Sequence, residues 1–144
     1  MKIKEVIAGK AIKDVVTIRP DATVRDLLAL LAEHNIGAAV VSGDGTAVDG
    51  IVSERDIVLH LHSTGTSVLD GPVSQIMTSD VTTGSADDDV ADLAGTMTEE
   101  RVRHVPIVDA EGRLAAIVSI GDIVKHRLSE LQSERDQLRD YISH

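Results

Sequence analysis

The chain has 144 residues with a formal charge of −10 at neutral pH, no cysteine and a single aromatic residue, Tyr141. That length holds one compact core, or two half-size units that share one, and the missing cysteines exclude disulfides and thiolate metal sites. The acidic balance argues against DNA or RNA as a partner, because Lys and Arg neutralising phosphates supply most of that affinity; a lone aromatic excludes a base-stacking platform.

Hydrophobic residues make up 42% of the chain, and with one aromatic among them the core is expected to be aliphatic. No apolar run approaches the roughly 20 residues that span a bilayer, and the N-terminus lacks the basic and then apolar layout of a secretory signal. A cytoplasmic protein with no membrane partner is expected.

Residues 1–13 carry Ile3, Val6, Ile7 and Ile12, which suit a short helix or leading segment broken near Gly9. Residues 14–18 are rich in β-branched side chains and stop at Pro20, so they read as a strand and turn. From Val24 the apolar period lengthens through Leu27, Leu28, Leu30 and Leu31, with Thr23 and Asp26 as an N-cap pair, and this helix should end near Asn35 or Gly37. A buried strand over 38–41, a turn at Gly43-Asp44-Gly45 and a second strand over 48–52 follow. Ser53 then opens a helix through Leu61, and a connection rich in Ser, Thr and Gly fills 63–71.

The same order returns as a strand over 81–83, a helix over 90–100, strands over 105–108 and 114–118, and a helix from Ser119. Beyond Lys125 the residues Leu128, Leu131, Arg135, Leu138 and Ile142 are spaced 3, 4, 3, 4. That seam, with an arginine in one core position, reads either as a projecting helix for a partner or second copy, or as a helix folded along its own body.

The return is a repeat. Gly50-Ile51-Val52-Ser53-Glu54-Arg55-Asp56-Ile57-Val58 recurs 66 residues later as Ala116-Ile117-Val118-Ser119-Ile120-Gly121-Asp122-Ile123-Val124. The same offset aligns Thr17 with Thr83, Asp21 with Asp87, Val24 with Val90 and His60 with His126. A structural unit used twice is implied, with a first unit over 1–71, a second over 72–127 and a terminal helix over 128–144.

Each copy contains Ser-x-x-Asp at a helix start. The first free N–H groups of a helix favour an anion, and a carboxylate three residues on can accept both vicinal hydroxyls of a ribose. Ser53 with Asp56, and Ser119 with Asp122, could each hold a nucleoside. The other reading is a capping box that satisfies its own backbone and nothing more. Phosphates ask for cations, and Arg55, Arg103 and His104 are the candidates; Gly121, Gly37 and Ala38 stand at their matched positions, so two such sites could not be equivalent. Asp87-Asp88-Asp89 precedes a helix start, where carboxylates complement the dipole, and His60, His62 and His126 lack convergent donors for a metal. No catalytic arrangement stands out, so no enzyme and no metal are expected.

With "VVTIRPDATV" opening one copy, "GIVSERDIV" closing it, and "RVRHVPIVDAEGRLAAIVSIGDIV" in the other, the chain resembles a tandem pair of CBS domains (a Bateman module). The resemblance implies an α+β fold of two strand-helix-strand-strand-helix units, packed through their sheets about a pseudo-two-fold axis, with two clefts between them. It implies adenosine-containing ligands there, such as AMP, ADP, ATP, NAD(H) or S-adenosylmethionine, with no obligatory cofactor. Base and wall contacts are implied for Val16, Thr17, Ile36, Gly37 and Ala38 in one unit, and for Thr82, Thr83, Val102, Arg103, His104 and Pro106 in the other. Val16, Ile36 and Val102 also suit plain strand interior. Ala116 in place of a glycine, and Gly84 where the first unit has Ile18, depart from the pattern and could reshape one pocket. The expectation is a stand-alone, homodimeric, non-enzymatic sensor acting on a regulated protein; the alternative is a ligand-free scaffold for dimerisation.

Overall fold

In the computed structural model, which describes residues 1–10 and 15–143, the predicted periods resolve into a doubled α+β unit. Residues 11–14, on which Ile12 and the predicted strand start at Asp14 fall, lie outside the described residues, as does His144. Helix α1 (Ile3–Ala8) leads, and β1 (Thr17–Ile18), α2 (Val24–His34), β2 (Ala38–Val41), β3 (Gly50–Ser53) and α3 (Glu54–Thr64) form the first unit. Two short 3-10 turns, Thr66–Asp70 and Val73–Gln75, bridge to α4 (Val90–Glu100), β4 (His104–Val108), β5 (Leu114–Ser119) and α5 (Ile120–Ser143).

Local chemistry sets the boundaries. The Thr23 hydroxyl and the Asp26 carboxylate form a reciprocal capping box at the start of α2, and Asn35 ends it in the left-handed region at φ 51°, a conformation that asparagine tolerates better than most residues. Arg101 takes the same role after α4 at φ 58°. In the first sheet β2 lies between β1, parallel, and β3, antiparallel, with Val40 opposite both Thr17 and Ile51. All four residues of β2 are buried.

The second unit departs from the prediction at its first strand. Residues 81–83 form no strand; one parallel bridge from Gly84 to Ile107 is what remains beside β4, which pairs antiparallel with β5. Gly84 keeps both of its backbone bonds to β4, donating to the Pro106 carbonyl and accepting from the Val108 N–H at 2.9 Å each. The pairing stops there because Pro106, which stands 66 positions from Val40 of the first sheet, has no N–H to give the residues before Gly84.

The leading segments are exchanged between the units. Val73 and Ser74 donate backbone bonds to Ala22 and Pro20 of the first unit at 2.8 and 3.0 Å, while Ile3 and Lys4 donate to Asp88 and Ala86 of the second at 2.9 Å each. Ile3 and Val6 accordingly complete the core of Val90, Leu93, Met97, Val105, Ile107 and Val118. Val68, Val73 and Ile76 complete that of Ile18, Val24, Leu27, Leu31, Val41 and Val52. Both cores are aliphatic. Each half therefore buries side chains brought from the far side of the other, which binds the two into one body.

Helix α5 continues unbroken into the terminal seam, so the predicted terminal helix is an extension of the second unit's last helix. From Leu131 to Ser143 every described residue is exposed. Among the described residues no helix is long and apolar enough to cross a membrane.

Candidate ligand-binding cleft

Within each unit the first turn of the last helix is tied to the residue immediately before β2 or β4. The Glu54 N–H bonds the Gly37 carbonyl at 3.0 Å, and the Ile120 N–H bonds that of Arg103 at 2.8 Å. These two junctions face one another across the molecule, and between them opens a cavity of about 600 Å³, a size suited to a small-molecule ligand.

The cavity crosses the repeats. The first unit lends Val16, Ile36, Gly37 and Ala38, and the second lends His104, Ser119 and Asp122. Seven of the predicted contact residues thus meet in one place, with the wall segments of one unit facing the Ser-x-x-Asp of the other. Val6, Ile7, Val15, Ala116 and Ile117 complete the apolar wall, and Lys10, His34, Asn35, Lys125, His126 and Ser129 add polar groups. At Gly37 a Cβ would sit 3.0 Å from Glu54 Oε1 and 3.6 Å from His104 Cε1, so the bare backbone leaves that corner open.

Both Ser-x-x-Asp pairs close capping boxes. The Ser53 N–H lies 2.8 Å from Asp56 Oδ2, and the Ser119 N–H lies 2.9 Å from Asp122 Oδ2. Capping and ligand binding are compatible, because a carboxylate offers about four acceptor sites. What separates the two aspartates is their surroundings. Lys10 Nζ reaches Asp122 Oδ2 at 2.9 Å and the Ile117 carbonyl at 2.6 Å. Burial works against the Asp122 charge, yet the Ser119 N–H and the Lys10 ammonium outweigh it and hold its pKa below the ordinary carboxylate value. Burial pushes the His104 imidazole below its usual value near 6.5, with Lys10 and Arg103 acting the same way against Asp122 and Glu54.

The counterpart groove, reached by exchanging the halves, is built differently. Met77 packs onto Gly50 so closely that a Cβ on the glycine would lie 2.6 Å from its sulfur. Thr78 pairs with Ile51 through both its N–H and its carbonyl at 2.9 Å. The Thr82 hydroxyl is bonded to the Glu100 carboxylate. Arg55 and Arg103 are exposed and outside the cavity lining; Val102 packs against the second core, and Pro106 is buried within β4. Thr17 and Thr83 line matched shallow depressions on the outer surface. Of the acidic run, Asp88 accepts the Ser85 N–H at 2.8 Å and Asp89 pairs with Lys2 at 3.1 Å. Lys10 and Lys125 carry no site signal in the sequence, and His126 stands out there only as a metal candidate without convergent donors. Lys10 stands 112 positions from its partner Asp122, with no local motif to announce it.

The profile of the CBS domain matches this chain twice, over residues 3–63 and 73–129. The chain belongs to the CBS-domain family. This CBS pair is similar in structure to the CBS-domain containing protein ATU1752 from Agrobacterium tumefaciens, at 40% identity and a TM-score of 0.83 over 88% of this chain and 99% of that one. The CBS domain protein PAE2072 from Pyrobaculum aerophilum, solved complexed with AMP, superposes with a TM-score of 0.74 at 29% identity, covering 85% and 89% of the two chains. A 17.7 kDa protein of Acidianus ambivalens is 35% identical over 77% of the CBS pair, which spans 66% of that relative's own length.

Proposed function

We propose that this CBS pair is a regulatory module that binds one adenosine-containing ligand in the cleft between its units and passes the event to a partner protein, without chemistry of its own. The observation that carries the reading is the composition of the cleft: Ile36, Gly37 and Ala38 come from one unit and Ser119 and Asp122 from the other. A ligand seated there touches both units at once. Any preference it has for one relative orientation shifts the population toward that orientation. The base would lie against Val16, Ile36 and Ala38, near the open backbone of Gly37, and the ribose hydroxyls would be accepted by Asp122. PAE2072 with its AMP supports the ligand class. The differing arrangement about Gly50, Met77 and Thr82 favours a single occupied cleft.

The test is a thermal melt of the full chain against AMP, ATP, NADH and S-adenosylmethionine. A ligand that binds only the native state stabilises it by about 2.7 kcal/mol at a hundred times its Kd, so at least one of these should raise the melting temperature by several degrees. Absence of any shift at millimolar ligand contradicts the reading and leaves a doubled scaffold.

A further inference from the structure

We propose that Lys10 sets the ligand choice of this cleft, making it select adenosine ligands that carry phosphate over neutral or sulfonium-bearing ones. The inference rests on the adenosine reading above and adds the residue that discriminates within that class.

Lys10 follows α1, on the leading segment that the fold has exchanged onto the second unit. Its ammonium lies 2.9 Å from Asp122 Oδ2, and both side chains are mostly buried, at 21% and 24% exposure. Lysines are found so far from water almost only when paired. Among the described residues Asp122 is the sole acid in the cavity lining, whereas Lys125, His34, His104 and His126 line it as well. In a chain of net charge −10, this is a local reversal of sign. It attracts an anion to a place that the rest of the surface does not.

The competition for Asp122 makes the choice. Lys10 and the Ser119 N–H both bond Asp122 Oδ2, so sugar hydroxyls accepted by the same carboxylate share its charge with the ammonium and weaken the ion pair. A half-buried ammonium without its partner is costly. A phosphate on the same ligand takes up the freed cation, which can swing on its four-carbon stem while staying near the cleft. A neutral thioether tail leaves it unpaired, and a sulfonium adds a second positive charge beside it. The device belongs to one half alone. Ile3 and Val73 hold matched places in the exchanged segments, 70 residues apart, and the same step from Lys10 falls on Asp80.

Calorimetric titration of the full chain with AMP, 5′-methylthioadenosine and S-adenosylmethionine tests this, in the wild type and in Lys10→Gln and Lys10→Arg. The wild type should bind AMP at least about tenfold more tightly than 5′-methylthioadenosine, the worth of one charge-assisted hydrogen bond. Lys10→Gln should lose that preference through weaker AMP binding, with 5′-methylthioadenosine bound equally well or better, and Lys10→Arg should keep it. Lys10→Met replaces the glutamine variant if the latter does not fold. Equal wild-type affinity for the two ligands, or an equal loss for both in Lys10→Gln, overturns the inference while leaving the adenosine reading intact. Failure of every adenosine ligand to bind the wild type overturns both.

Discussion

Asp56 and Asp122 share a serine three residues before, an Ile-Val pair after and the same backbone bond to their own helix starts, yet only Asp122 faces the cavity and an internal cation. Reading Ser-x-x-Asp as a cap or as a sugar-holding group poses no contradiction, because one carboxylate oxygen can cap while acceptor capacity remains. His104 adds a titration to the same wall. Burial holds its pKa below 6.5, so between the folded and unfolded values the unfolded chain binds the proton that the folded chain resists. The stability from neutral His104 is present above about pH 6.5 and is lost as pH falls below it, with a slope of at most about 1.4 kcal/mol per pH unit. Urea denaturation from pH 7.5 to 5.5 should show the wild type losing stability, and His104→Gln losing measurably less. Equal slopes contradict the assignment. The sequence exposed His104 and Asp122 as candidates through the repeat, but their surroundings depend on Lys10, which arrives from the other end of the chain.

At the scale of elements, local signals were sufficient where caps and periodicity agree. Thr23 with Asp26, Asn35, and the unbroken apolar run from Ala38 to Val41 placed α2 and β2 nearly to the residue. They failed where a tertiary contact decides. Val81, Thr82 and Thr83 have strand propensity, but Pro106 on the neighbouring strand has no N–H to give them, and Thr82 turns to Glu100 instead. The exchange of leading segments was equally illegible, since Ile3 and Val6 reveal an apolar face without saying which unit it covers. The seam on α5 is a case where the sequence left two readings open. Leu128, Leu131, Leu138 and Ile142 remain more than half exposed, so the stretch extends away from its own body, and we propose a second copy as its partner. Deleting 132–144 removes, among the described residues, only exposed side chains. The shortened chain should keep its stability to within about 0.5 kcal/mol and lose half its mass in sedimentation equilibrium. A mass unchanged from that of the full chain would assign any dimer to other surfaces.

For the whole molecule, doubling supplies two potential clefts and the departures from symmetry decide their use. Gly50 admits Met77 on one side, whereas Ala116 lines open space on the other. The N-terminal segment carries a cation, and its counterpart carries Asp80. An acidic body with one basic cleft follows from these few differences, and the repeat pattern alone predicted two sites without ranking them. The most direct measurement is the stoichiometry of AMP binding by calorimetry, in the wild type, Asp122→Ala and Asp56→Ala. Each variant loses the carboxylate half of a capping box, and Asp122→Ala also leaves Lys10 without its partner, so each variant's melting temperature is recorded beside its binding. The predicted result is one AMP per chain, lost in Asp122→Ala and retained in Asp56→Ala; two per chain, or loss in Asp56→Ala alone, would contradict a single cleft built on Asp122.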